Sequence, residues 1–214
     1  LVLTASPRGG RVDIYWKGQR VRQEESLEEV LGDYRFLAGA LPPSEAEVAD
    51  MVTNGAITRA LQAEHRWIDQ RLEQFHQGIA SEHADPGPLT DAATALRRHI
   101  YLEEEHLFPL LEARGLADPL WVMAQEHGEI WRLLDRTQEL LDSGAGRGRI
   151  ANTFKALLGL LEEHNFKEEQ VLYPLADMLV GEDEVPTVLE RLKSAEPPSG
   201  WVCQALRDQN PDEP

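Results

Sequence analysis

The chain has 214 residues, 42% of them hydrophobic and 28% charged, with a formal net charge of −17 at pH 7. That length suits one domain with a small appendage and is enough to bury a substantial core, while so negative a surface repels nucleic acid and anionic membranes. A single cysteine, Cys203, excludes an intrachain disulfide, a thiolate zinc site and an all-cysteine iron–sulfur cluster, and no apolar run approaches the ~20 residues that span a bilayer.

Residues 1–45 read as an N-terminal extension. The opening LVLTASPRGGRVD has no signal-peptide layout, and its start without Met says nothing about what precedes it; cytoplasmic residence is the expectation. Val12-Asp13-Ile14-Tyr15-Trp16 and Arg20-Val21-Arg22 around Gly18 read as a short hairpin or an ordered arm. Residues 26–38 carry Leu27, Val30, Leu31, Tyr34 and Leu37 at helical spacing, and Gly39 with Pro42-Pro43 ends that short helix.

Four longer helical patterns occupy residues 46–182. Ser44 with Glu47 has the form of a capping box. From there a helix, with a break near Asn54-Gly55, runs to about Glu82 along the line Leu61, His65, Ile68, Leu72, Phe75. Asp85-Pro86-Gly87-Pro88 breaks the pattern, and a second helix runs from about Thr90 to Arg114, with Gly115 as its C-terminal cap. Asp118-Pro119 opens a third, with Asp as N-cap, carrying Met123, His127, Ile130, Leu134 and Leu141 on one face; Gly144-Ala145-Gly146 ends it. The fourth runs from about Arg149 to Val180 through Leu157, Leu161, His164, Glu168, Val171, Leu175 and Met178. A short helix over 183–194 and a mobile Pro/Asp-rich tail complete residues 183–214. Short loops between four amphipathic helices predict an all-α, antiparallel up-down-up-down bundle.

What interrupts the apolar stripes carries the chemistry. His65, His127 and His164 occupy core-line positions. His99 with Glu103, and His164 with Glu168, are four residues apart and so share a helical face. An isolated carboxylate inside a bundle costs several kcal/mol unless paired, protonated or bound to a cation. Four imidazoles and two carboxylates converging in one core are best explained by metal.

The arrangement is duplicated. His99 to Pro109 and His164 to Pro174 both read His-x-x-x-Glu-Glu-x-x-Leu-aromatic-Pro. Each follows a helix bearing Glu-His: Glu64-His65 lies 34 residues before His99, and Glu126-His127 lies 37 before His164. A helix pair used twice predicts approximate two-fold symmetry. Pro109 and Pro174 either kink their helices beside the site or mark their ends. His76, His83 and His106 fall outside the pattern. Glu104 and Glu169, about 100° round the helix, are expected in solvent, with a role in orienting histidine as the alternative. Trp131, Tyr101 and Tyr173 are expected to fill core, and Cys203 to be incidental.

The paired motifs resemble the hemerythrin-like, or HHE cation-binding, family over about residues 50–180. The resemblance implies a di-iron centre ligated by His65, His99, Glu103, His127, His164 and Glu168, with the glutamates and an oxo or hydroxo group bridging two iron ions. Ferritin-like sites need Glu-x-x-His on two helices; Glu103-x-x-His106 fits once, but the fourth helix has no partner, since Val171 stands three residues after Glu168. Imidazole with carboxylate suits iron, with manganese or a mixed pair as alternatives. Oxygen-carrying hemerythrins place a fifth histidine where this chain has Trp131, and bridge with one Asp where it has Glu168. Four His with two Glu instead resembles di-iron proteins of iron–sulfur cluster repair and nitric oxide stress, whose cysteine-bearing N-terminal domain has no counterpart in this sequence.

The functional expectation is a redox protein reacting with O2, NO or peroxide and drawing on an electron donor. Two alternatives stay open: a sensor or binding protein for O2, NO or iron without turnover, and a bundle stabilised by metal.

Overall fold

The computed structural model describes residues 55–80 and 85–207, and the backbone of three strands at 2–5, 12–16 and 19–24. The expected helix at 26–38, the Ser44–Glu47 box, His83 and the tail from 208 lie outside the described residues. The chain divides into two compact units, Leu1–Ala46 and Glu47–Pro214. In the first, β1 (Val2–Ala5), β2 (Val12–Trp16) and β3 (Gln19–Glu24) form an antiparallel sheet in the order β1-β2-β3. The β2–β3 register shifts between Ile14 and Tyr15. β1 is absent from the sequence reading because its four residues are too short to show alternation.

The second unit is a four-helix bundle. Its first member is α1 (Ala56–Ala80). The second is α2 (Gly87–Leu102), continued by a π-helical turn (Glu103–Leu107) into α3 (Phe108–Glu112). The third is α4 (Ala117–Asp142). The fourth is α5 (Arg147–Lys167), continued by a second π-helical turn (Glu168–Leu172) into α6 (Tyr173–Leu179). Then come α7 (Val185–Ser194), against α1 and the first π turn, and α8 (Gln204–Arg207), against α4. Among the described residues no helix is long and apolar enough to cross a membrane.

The apolar stripes meet largely as the periodicity predicts, with Val171, which falls in a π-helical turn, exposed instead of buried. Leu61, Ile68, Leu72 and Phe75 of α1 are buried, as are Leu96 and Ile100 of α2, Ile130 and Leu134 of α4, and Phe154, Leu157 and Leu161 of α5. Phe75 meets Phe154 edge to face, with ring centroids 4.9 Å apart. Gly115 and Gly144 end helices at φ of 93° and 65°. Each is followed by a residue whose N–H reaches five back, Leu116 to the Leu111 carbonyl and Ala145 to that of Leu140, which is Schellman closure. Gly128 serves close approach: a Cβ there would lie 2.7 Å from that of Ala205, so only glycine lets α8 settle beside His127.

The two prolines do not end their helices. Proline has no N–H and its ring crowds the preceding turn. The ladder therefore slips by one residue just upstream: Phe108 N–H bonds to the Glu103 carbonyl and Tyr173 N–H to that of Glu168, each five residues back. Both wide turns begin at the glutamate of the repeated motif.

The first and fourth helices are tied where α1 starts. Asp177 of α6 accepts from the N–H groups of Ile57 and Thr58 at 2.9 and 3.0 Å and from the Thr58 hydroxyl at 2.6 Å. It satisfies donors left open by a helix N-terminus and sits where the helix dipole favours negative charge. Asp177→Ala should destabilise the bundle by about 1–2 kcal/mol in urea unfolding; an unchanged midpoint would mean that water replaces the cap at no cost.

Candidate metal centre

All six residues singled out by the repeated motif come together. His65 (α1), His99 (α2), His127 (α4) and His164 (α5) are each at most 3% exposed, and Glu103 and Glu168 are fully buried. Their donor atoms form two clusters, His65, His99 and Glu168 on one side and Glu103, His127, His164 and Glu168 on the other, with the atoms of each within 4.8 Å of one another.

Each glutamate faces both histidine pairs, Glu168 with one oxygen toward each and Glu103 with Oε2 alone, which also lies 3.6 Å from His99 Nε2. Glu168 turns Oε2 to within 3.4 Å of His65 Nε2 and Oε1 to within 2.9 Å of His164 Nε2. Glu103 turns Oε2 to within 3.3 Å of His127 Nε2, while Oε1 accepts from the Tyr173 hydroxyl at 2.8 Å. His65 Nε2 and His99 Nε2 lie 2.9 Å apart.

The Nε2 atoms converge because each opposite ring nitrogen is held by a carboxylate. Glu64 accepts from His99 Nδ1 at 2.8 Å and Glu126 from His164 Nδ1 at 2.9 Å, each crossing within a helix pair. Glu104 accepts from His127 Nδ1 at 2.9 Å and Glu169 from His65 Nδ1 at 2.8 Å, each crossing between pairs. The set has the two-fold pattern of the repeat. Carboxylates of this kind fix the tautomer and orientation of metal-binding histidines. Further contacts brace them: Arg98 donates to Glu64 at 2.9 Å, Lys167 pairs with Glu126, and the Gln204 N–H donates to Glu104 at 2.7 Å.

Glu104 is buried, against the expectation that it is solvated, while Glu169 stays 30% exposed, and both take the alternative role of orienting a histidine. Glu104 is 7% exposed and both carboxylates grip a buried ring. On a regular helix a neighbour of Glu103 would point about 100° away; the wide π turn brings consecutive glutamates to different inward targets. The roles of Glu64 and Glu126 were also missed, although their position directly before each α1 and α4 histidine is the signal. Tyr173 is more than filler, with its hydroxyl amid the donors. His106 is in neither cluster and meets Tyr101 edge-on, His76 stacks on Phe154, and Trp131 packs on Trp201 beneath Arg97. Burial pushes the Cys203 thiol up to about 11, which keeps it protonated and inert at neutral pH.

The electrostatics call for positive charge. Burial by itself would lower the histidines, yet the glutamates overcome it: His65 is raised to about 10 by Glu168 and Glu169, and His127 and His164 are also raised. Burial would raise Glu168, but the imidazoles of His164, His127 and His65 hold it well below the usual carboxylate range. Several buried atoms remain without a hydrogen bond of acceptable geometry: Glu103 Oε2, Glu168 Oε1 and His127 Nε2 all belong to the second cluster. Buried polar atoms are rarely left so, and three that converge on one point match the donor set of a cation.

The family model for the hemerythrin HHE cation binding domain matches residues 56–176. The iron-sulfur cluster repair protein YtfE of Musicola paradisiaca is 31% identical over 118 residues, covering 50% of this chain and 53% of that protein. Its namesakes from Yersinia pestis and Yersinia pseudotuberculosis are 31% identical over 125 residues, with the same coverage. The chain thus spans about half the length of the curated relatives it matches. No solved structure matches it significantly. The donor set can be tested through its outer carboxylates: Glu126→Gln should weaken divalent-cation binding about 10–100-fold in equilibrium titration with the bundle still folded, and unchanged affinity would show that His164 does not need Glu126 to hold it.

Proposed function

We propose that this chain, which belongs to the hemerythrin HHE cation-binding family, holds two iron ions that react with O2, NO or peroxide. His65 and His99 would ligate one iron, His127 and His164 the other, and Glu103 and Glu168 would bridge them. The observation that carries this reading is that each buried glutamate faces both histidine pairs. One cation would leave one imidazole pair without a partner.

Iron suits the donors. Imidazole with carboxylate and open positions is a common iron environment, while structural zinc favours a closed tetrahedron. When bound, an iron pair would supply open coordination positions and electrons for reducing a small ligand. The protein supplies orientation and exclusion. Glu64, Glu104, Glu126 and Glu169 hold the rings in one tautomer, and fully buried Leu102, Leu107 and Leu172, in the same turns as the glutamates, keep bulk water and large organic substrates away. The donors fit a diatomic or a peroxide.

The likeness to proteins named for iron–sulfur cluster repair covers the bundle and about half of their length. It supports a place in oxidative or nitrosative stress, acting in support of iron–sulfur proteins in a reducing, cytoplasmic setting with an electron donor. A sensor without turnover is the second reading. It is favoured by the line from His127 through Glu104 to the Gln204 backbone, which joins the centre to the segment at 201–207.

After anaerobic loading the protein should carry about two irons per chain and develop near-ultraviolet ligand-to-metal bands when air is admitted. Glu103→Ala and Glu168→Ala should each lose most of that iron, and His76→Ala should lose none. One iron or none in the parent protein would overturn the di-iron reading, and full iron in both glutamate variants would overturn the bridging assignment. Multiple turnover with NO or peroxide would separate an enzyme from a sensor that binds stoichiometrically and stops.

A further inference from the structure

The repeated motif gives the two halves of the centre the same histidines and glutamates but not the same aromatic residue. Leu107-Phe108-Pro109 in one copy corresponds to Leu172-Tyr173-Pro174 in the other. Within that tripeptide the one difference is a hydroxyl.

That hydroxyl lies inside the first cluster. Tyr173 is fully buried, and its oxygen is 2.8 Å from Glu103 Oε1, 3.0 Å from Glu168 Oε2, 3.1 Å from His65 Nε2 and 3.2 Å from His99 Nε2. A phenol donates one hydrogen bond and can accept from the imidazoles, so hydrogen bonding accounts for at most three of these four contacts, and one carboxylate contact is left over. Coordination geometry accounts for the rest. Donors with metal bonds of about 2.1 Å, set at right angles around one cation, lie roughly 3.0 Å from their neighbours. The Tyr173 oxygen has that spacing from four donors, and two of them, His65 Nε2 and His99 Nε2, are themselves 2.9 Å apart.

We propose that Tyr173 is a ligand of the centre, its phenolate oxygen completing the coordination of the iron held by His65 and His99. The proposal rests on the di-iron reading above. As the metal–oxygen bond forms, the phenol proton is released to solvent and no electron is transferred. The ring need not move far, since the oxygen already has ligand spacing and the side chain is packed on every side.

The consequence is a centre with two unlike ends. On the other side, Phe108 offers no oxygen; its ring stacks on His127 with centroids 5.6 Å apart and planes 10° apart. Three of the buried atoms without a hydrogen bond, Glu103 Oε2, Glu168 Oε1 and His127 Nε2, belong to that end, and a pocket of about 320 Å³ is lined in part by Glu104, Phe108, Pro109 and Gln204. The Tyr173 end is filled by the protein, and the His127/His164 end is where a small ligand binds.

The test is optical and vibrational and needs no turnover. The protein is loaded with ferrous iron, counted for metal, oxidised, and examined by visible absorption and resonance Raman. A phenolate-to-ferric charge-transfer band that enhances tyrosine ring modes is expected; it should disappear in Tyr173→Phe with about two irons retained, and persist in Tyr101→Phe. Circular dichroism confirms that each variant is folded. Two irons with no such band in the parent protein, or a band that survives in Tyr173→Phe, would overturn the proposal and leave the di-iron reading intact. Failure of the parent protein to bind two irons would remove both.

Discussion

Two carboxylates with no exposure to solvent lie at the centre of this bundle, and much of its construction answers to them. Burying Glu103 and Glu168 as free anions costs several kcal/mol each. The chain offsets that cost with its imidazoles: the glutamates beside His65, His127 and His164 shift each of them toward the charged form. The proposed cation pair would do the same work with more charge at shorter range. The glutamates in turn position the histidines, since every ring aimed at the centre is gripped from behind by another carboxylate.

These contacts link distant parts of the chain. Glu64 and Glu126 each brace the histidine of the partner helix within a pair, while Glu104 and Glu169 reach from one pair to the other. The site therefore holds all four helices in register at one level, and the Phe75–Phe154 contact and its apolar neighbours fill the bundle elsewhere. The π turns belong to the same design. They widen the backbone where each glutamate must enter the core, and the prolines that follow make the widening obligatory rather than optional.

The helical periodicity of residues 56–179 was legible because each stripe of Leu, Ile and Phe is long, and the convergence of the six His and Glu residues because their pattern is written twice with matched spacing. Helix ends read to within a few residues: Thr90 was expected where α2 starts at Gly87, and Asp118 as a cap where it lies inside the first turn of α4. The π turns were not legible, because proline reads equally as a kink or a stop until the ladder is seen to continue. Glu104 and Glu169 were placed in solvent because a regular 100° step puts them there, and the local geometry is not regular. Tyr173 read as filler because periodicity reports that a ring is buried and not what its hydroxyl meets.

The most direct measurement is anomalous diffraction at the iron edge from crystals of the loaded protein. Two peaks per chain about 3.5–4 Å apart, one beside His65 and His99 and the other beside His127 and His164, with Glu103 and Glu168 between them, are the expected result. A single peak, or iron bound outside these six residues, would contradict the account.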